Sequence, residues 1–194
     1  LAEETSEQWL LERARDGDLD AFGELVRLFE RPVFNLAYRM LGNAAEAEDA
    51  AQEAFLRAYT HLDRYDPERS FKTWLLSITS NYCIDRLRKR RLTWLSLEEP
   101  LPPHPALVSS EAGPEASAIA HELSVQIQAL LDGLSDEYRI VVILRYWYDL
   151  SYIEIAEILE TTESAVKSRL FRARQALAKQ LDVEKIPGLL EPEA

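Results

Sequence analysis

The sequence predicts an all-α protein made of two small helical domains joined by a Pro-rich linker. Three observations carry this. Apolar residues recur at three- and four-residue steps through most of the chain, the period of a helix with one buried face. Residues 93–114 hold five of the nine prolines together with Glu98, Glu99, Glu111 and Gly113, a composition that resists helix and stays extended. Residues 150–177 read as a helix-turn-helix.

Taken in order, residues 6–15 form a short helix with Trp9 and Leu10 available to pack, ended by Asp16, Gly17 and Asp18. From Asp20 a second helix carries Phe22, Leu25, Val26 and Phe29. Pro32 either kinks it or restarts it before Val33, Leu36, Ala37 and Met40, and Gly42-Asn43 closes it. The next helix, about Ala45 to Leu62, has a small-residue seam of Ala47, Ala50, Ala51 and Ala54 continued by Phe55 and Ala58. Its other side bears Glu46, Asp49, Gln52, Glu53 and Leu56. A leucine among ordered carboxylates suggests a docking surface for a basic protein, although spacing alone fits a solvated face equally well. After a turn at residues 65–69, Ser70 is placed to cap a helix holding Phe71, Trp74, Leu75 and Ile78, with Asn81 and Tyr82 near its end. A final helix of this domain closes in a run from Arg86 to Arg91 in which five of six residues are basic. Such a run beside Trp74, Tyr82 and Trp94 has the composition that tracks and stacks single-stranded nucleic acid. Trp74 shares a stripe with Phe71, Leu75 and Ile78, which favours the core over a stacking platform; Tyr82 and Trp94 stay open.

Beyond the linker, residues 115–132 make an amphipathic helix with Leu123, Ile127, Leu130 and Leu131, ended by Gly133, and Ser135 caps the next. Residues 140–148 fit a buried strand or a helix by periodicity, and their helical neighbours favour helix. Ser151 and Glu154 then have capping-box spacing. Ile153, Ala156 and Leu159 are expected to share the packed face of a short helix, and Thr161-Thr162 makes the turn. Thr162 starts a second helix whose core stripe is Val166, Leu170, Ala173 and Leu177. The opposite face carries Ser164, Lys167, Ser168, Phe171, Arg172 and Gln175, flanked by Arg169 and Arg174. These side chains can meet phosphates, guanine edges and thymine methyls. A cationic face also fits a solvated bundle helix, but the capped helix and turn before it favour DNA. Residues 182–194, acidic and holding Pro187, Gly188 and Pro192, are expected to be a disordered tail.

The 194 residues carry a formal net charge of −12. Most of such a surface repels phosphates, so any contact with nucleic acid must be local. Cys83 is the only cysteine and His61, His104 and His121 are the only histidines, which excludes an intramolecular disulfide and argues against a structural zinc. A cytoplasmic location is expected, with no membrane insertion, since nothing reads as an export signal or an apolar run of about 18 residues. With no Gly-rich phosphate loop and no nucleophile motif, neither an enzyme nor a cofactor is expected.

The stretches AEDAAQEAFLRAY at 47–59, SFKTWLLSITSNYCIDRLRKRR at 70–91 and LSYIEIAEILETTESAVKSRLFRARQAL at 150–177 occur in an order that resembles the bacterial RNA polymerase sigma factors of the extracytoplasmic-function (ECF) group of the sigma-70 family. The resemblance covers nearly the whole chain. It implies region 2 at residues 1–92, a linker at 93–114, region 4 at 115–181 and the tail at 182–194. By the same resemblance Asp49, Gln52, Glu53 and Leu56 meet the clamp helices of the largest polymerase subunit, and region 4 meets the beta flap. Asn81 and Tyr82 lie where a flipped base of the minus-ten element is held, with Arg86, Arg88, Lys89 and Arg90 on its phosphates. Ser164, Lys167, Ser168, Phe171 and Arg172 match minus-thirty-five contacts. An anti-sigma factor is an expected partner. The linker is expected to run toward the active-site cleft and RNA exit path. Asp149 stands where many relatives have Gly, and Ile153 where an acidic residue is common.

The implied function is a promoter-specificity subunit that binds core polymerase, melts and reads the minus-ten element and anchors the minus-thirty-five element. An acidic whole with two basic patches suits it: each patch binds weakly alone, and polymerase holds both in register. The alternative is an operator-binding helix-turn-helix regulator, a dimer on a two-fold site that needs no polymerase.

Overall fold

The computed structural model describes the backbone of residues 2–94 and 114–181 and the side chains of residues 7–92 and 122–181. Among the described residues there are eight α-helices and no strand: α1 (Ala2–Arg15), α2 (Leu19–Leu41), α3 (Ala44–Thr60), α4 (Phe71–Trp94), α5 (Pro114–Asp132), α6 (Asp136–Tyr146), α7 (Tyr152–Ile158) and α8 (Glu163–Gln180), with a 3-10 turn at Leu62–Arg64. Most of the expected linker and the whole of the expected tail lie outside the described residues.

Local chemistry sets the helix ends. The Asp18 carboxylate accepts from the amides of Asp20 and Ala21 at the start of α2. Pro32 does not restart α2; the helix runs through it to Leu41. It stops at Gly42, whose φ of 71° suits a residue without a Cβ and whose amide donates to the Tyr38 carbonyl at 2.8 Å. Asn43 caps α3 through the Glu46 amide.

One expectation for the first half changes. The segment read as two helices, one ending near Tyr82 and another reaching Arg91, is the single helix α4. No Gly or Pro interrupts residues 82–85, and Cys83 and Leu87 carry the buried stripe through the supposed break. Residues 140–146 are helical, which removes the strand alternative. In α5, Leu131 is buried but Leu123, expected on the packed face, is 55% exposed.

The apolar residues gather into two clusters. One lies within the first half, where Leu25, Phe29, Phe55, Tyr65, Phe71 and Leu75 join α1 to α4. The other crosses the midline of the molecule: Leu36, Met40 and Leu41 of α2 with Cys83 and Leu87 of α4 share a core with Leu131, residues 140–144 of α6, Ile155 of α7 and Val166 of α8. The polar seam of that contact is specific. Arg139, 7% exposed, donates to the Met40 carbonyl at 2.6 Å and the Asp132 carbonyl at 3.1 Å. Gln128 Nε2 donates to the Arg39 carbonyl at 3.3 Å. The last turn of any helix leaves carbonyls without partners, so α5 and α6 satisfy the Arg39 and Met40 carbonyls beyond the Tyr38 carbonyl that Gly42 already caps, with a cation at the negative end of the α2 dipole. The Tyr148 hydroxyl donates to the Pro32 carbonyl further up the same helix.

Candidate nucleic-acid interface

The helix-turn-helix is built from α7 and α8. Ser151 Oγ accepts from the Glu154 amide at 3.2 Å, and the Glu154 carboxylate accepts from the Ser151 amide at 2.7 Å, so the capping box closes. The Ser151 hydroxyl and amide hold the Glu154 carboxyl below its ordinary value. Thr162 Oγ1 accepts from the Ala165 amide at 3.2 Å and starts α8. Asp149 and Glu160, at the two corners, have φ of 52° and 48°. Asp149 is one of the few residues besides Gly that tolerate this left-handed conformation. The packed face of α7 differs from the expected one. Ile155, Ala156 and Ile158 are buried, whereas Ile153 is 60% exposed. In a seven-residue helix with apolar side chains at five positions, spacing alone does not choose the stripe.

In α8 Val166, Leu170 and Ala173 are buried and Leu177 half-buried, while Ser164, Lys167, Ser168, Phe171, Arg172 and Gln175 are all exposed on the other side. The flanking cations are held. Arg169 pairs with Glu137 at 3.4 Å, and Arg174 Nε donates to the Tyr146 hydroxyl at 3.1 Å. Lys167 Nζ lies 2.8 Å from Glu163, whose carboxylate raises its pKa. Such an exposed pair is worth little and gives way to a phosphate readily.

The second cationic face lies on α4 beside α3. Asn81 is exposed, Tyr82 half-buried, and Arg88, Lys89 and Arg90 exposed. Arg86 Nη1 donates to the Tyr82 hydroxyl at 3.2 Å, and the Arg57 guanidinium of α3 lies 5.0 Å above the Tyr82 ring. Between the two helices opens a cleft of about 410 Å³ lined by Glu46, Arg57, Tyr82, Asp85, Arg86, Lys89 and Arg90. Trp74, half-buried, packs on Tyr65 and Phe71 against the first-half core. The side chain of Trp94 lies outside the described residues.

Asp49, Gln52 and Leu56 are exposed on α3, with Leu56 at 60%, and Glu53 is half-buried. The acidic and basic groups that the sequence suggests as separate surfaces touch: Asp49 lies 3.8 Å from Arg86, and Glu53 accepts from Arg57 at 2.7 Å. Glu46, expected with the outward carboxylates, turns toward α4 instead and lies 4.0 and 3.9 Å from Arg86 and Arg90. At 100° per residue, positions 46, 53 and 57 fall within about 40° of one another on the flank that α4 packs beside, Asp49 and Leu56 lie side by side at its edge, and Gln52 is furthest round. Arg57 and Glu46 are thus the site residues that motif reading misses. The four-residue step from Glu53 to Arg57 is the signal that finds one of them.

Cys83 is fully buried and its thiol is pushed up to about 12 by burial, which keeps it protonated near neutral pH and makes it packing. Among the described residues no group of His, Cys, Asp and Glu is arranged to hold a metal, and no helix is long and apolar enough to cross a membrane.

The family model for Sigma-70 region 2 matches residues 25–93, and that for Sigma-70, region 4 matches residues 124–177. The ECF RNA polymerase sigma factor SigW of Bacillus subtilis is 43% identical over 176 residues, 88% of this chain and 94% of its own. The ECF RNA polymerase sigma-E factor of Escherichia coli is 30% identical over 182 residues, 91% and 95% of the two chains. Among solved structures, CnrH in complex with the cytosolic domain of CnrY aligns with a TM-score of 0.67 at 26% identity, over 93% of this chain and 99% of that one. The fold is also that of RpoE from Bartonella quintana, solved with the anti-sigma factor NepR, at a TM-score of 0.70 and 24% identity over 86% of this chain and 100% of that one.

Proposed function

Because this chain belongs to the sigma-70 family of RNA polymerase sigma factors, in its extracytoplasmic-function group, we propose that it is a promoter-specificity subunit and that the faces described above divide the work. Residues 1–92 dock on core polymerase through Asp49, Gln52, Glu53 and Leu56, and hold the melted minus-ten strand with Asn81, Tyr82, Arg86, Arg88, Lys89 and Arg90. Residues 115–181 lay α8 on the minus-thirty-five element, using Ser164, Lys167, Ser168, Phe171 and Arg172, and also meet the beta flap. Residues 93–114 connect the two. The chain itself supplies binding and strand capture, and the chemistry of RNA synthesis belongs to polymerase. An anti-sigma partner that covers the polymerase-binding surfaces completes the reading, with the chain acting in the cytoplasm.

The observation that carries this is the exposed row on α8, six polar, cationic and aromatic side chains on the solvent face of a capped second helix, in a chain whose net charge is −12. Only a local, oriented contact reconciles the two. The test is capture of bacterial core polymerase by the tagged chain, followed by transcription from a promoter library. Stoichiometric capture with starts downstream of one shared two-part motif is the expected result. A dimer that footprints a palindrome without polymerase overturns it and favours an operator-binding regulator.

A further inference from the structure

Lys167 is one of the side chains proposed to meet the minus-thirty-five element, and two groups hold it in the free chain. Its Nζ lies 2.8 Å from the Glu163 carboxylate one turn back on α8, and 5.6 Å from the centroid of the Tyr152 ring at the start of α7. The two contacts differ in what survives on DNA. A phosphate or a base edge competes for the N–H donors that Glu163 uses, and an exposed pair of this kind yields to it. A ring face attracts the cation through its quadrupole and leaves those donors free.

The ring is itself fixed. Tyr152 is the first residue of α7, directly after Ser151 of the capping box, so its backbone follows the cap. Its half-buried side chain packs against the core shared by α6, α7 and α8. The Arg145 guanidinium lies 5.4 Å from the ring centroid, and the same side chain donates to the Leu150 carbonyl at 3.2 Å and lies 3.6 Å from Asp149. One cation of α6 therefore ties the corner at residues 149–150 to the ring. At 100° per residue Lys167 and Arg174 fall within about 20° of each other on the flank of α8 next to its exposed row. Arg174 meets a tyrosine too, through the Tyr146 hydroxyl. A lysine left unheld on a helix surface samples many rotamers and loses that freedom when it binds. One already held by a ring loses less.

We infer that Tyr152 is a positioning residue for minus-thirty-five recognition: its ring holds the Lys167 ammonium on the exposed side of α8, so that this cation meets the duplex in one orientation and reads a base pair sharply. The inference rests on the proposed meeting of α8 with the minus-thirty-five element. Tyr152 acts through Lys167, and Arg145 acts through Tyr152. The ring carries the effect, because the cation lies against its face.

Transcription by the full chain with bacterial core polymerase, from a library of minus-thirty-five variants, tests it. Lys167→Met first locates the base pair whose preference depends on the ammonium. At that pair Tyr152→Leu is expected to lower the preference roughly two- to fivefold, Tyr152→Phe to keep it, and Tyr152→Leu to change nothing further in a Lys167→Met chain. Each preference is a ratio between promoters read with one preparation, so a partial loss of folded chain cancels from it. A preference lost in Lys167→Met and kept in Tyr152→Leu overturns the inference alone. A Tyr152→Leu loss that adds in full to that of Lys167→Met also overturns it and reduces the ring to packing. Tyr152→Phe failing like Tyr152→Leu does the same by moving the role to the hydroxyl. A Lys167→Met chain with unchanged preference at every pair removes the reading of Lys167 on which the inference stands, and the inference with it.

Discussion

Among the described residues Arg172, on the exposed face of α8, has no ion-pair partner, whereas Lys167 and the flanking Arg169 are each tied to a carboxylate. If it reads a base, Arg172→Ala weakens promoter use by about 1–3 kcal/mol, and the loss concentrates on promoters that carry the matching base pair. Transcription from a library of minus-thirty-five variants checks this, and an even loss across the library reduces Arg172 to a phosphate contact. The docking carboxylates have a second tie, since Asp49 and Glu53 each touch a cation of the α3–α4 cleft. Reversing both to Lys is expected to abolish capture of core polymerase while circular dichroism stays unchanged, because neither group is buried in the core. Retained capture moves the docking face elsewhere. The sequence made most of these groups visible as motif members, but it could not say which flank of α3 faces α4. That is why Glu46 reads as an outward carboxylate and Arg57 goes unnoticed: both belong to a contact between helices.

Local rules governed several of the helix ends, and these were among the most legible features of the chain, although Ser135, expected to cap α6, makes no side-chain cap hydrogen bond. The Ser151–Glu154 box and the Thr162 cap need only residues within one turn of each other, so spacing finds them and the structure closes both. Thr162→Ala is expected to lower stability by about 1 kcal/mol, read as a drop in the thermal midpoint. The Glu154 contribution has a definite pH sense. Ser151 depresses its folded-state pKa below the ordinary 4.5, so the stabilisation is fully present above that value and is lost as pH falls through the depressed one. A Glu154→Gln chain has no such group to titrate, and its melting profile should flatten in the acid range relative to wild type; parallel profiles would remove the box from the acid response. Longer-range features were less legible. The buried side of the short α7 depends on what it packs against, so Ile153 was placed inward when it lies outward. The continuity of α4 was hidden by a basic run that resembles a separate helix.

The arrangement of the halves was not legible in the sequence, because no local pattern tells Met40 that its neighbours come from α6. Arg139 precedes the apolar run at 140–144 and, from composition, belongs outside like most arginines. Instead it is buried, and burial lowers its pKa while its guanidinium caps α2. Arg139→Met removes the hydrogen bonds to the Met40 and Asp132 carbonyls and is expected to cost about 2–3 kcal/mol. A thermal midpoint within a degree of wild type would show that the contact between halves contributes nothing. The proposed role requires this contact to part: elements centred about 25 base pairs apart on a duplex lie ~85 Å from each other, against a radius of gyration of ~16 Å for a compact chain of this length. Fluorophores on α1 and on α8 should therefore separate when the chain joins polymerase on promoter DNA, and an unchanged transfer efficiency would contradict the two-element reading. The borrowed cap on α2 also limits how freely such a chain can be recombined. A hybrid that joins residues 1–92 to the second half of a relative lacking counterparts of Gln128 and Arg139 inherits a helix whose end carbonyls have lost their donors. The halves match two separate family models, but in the free protein each is fitted to the other, and a chimera keeps the free-state contact only if it carries both sides of the seam.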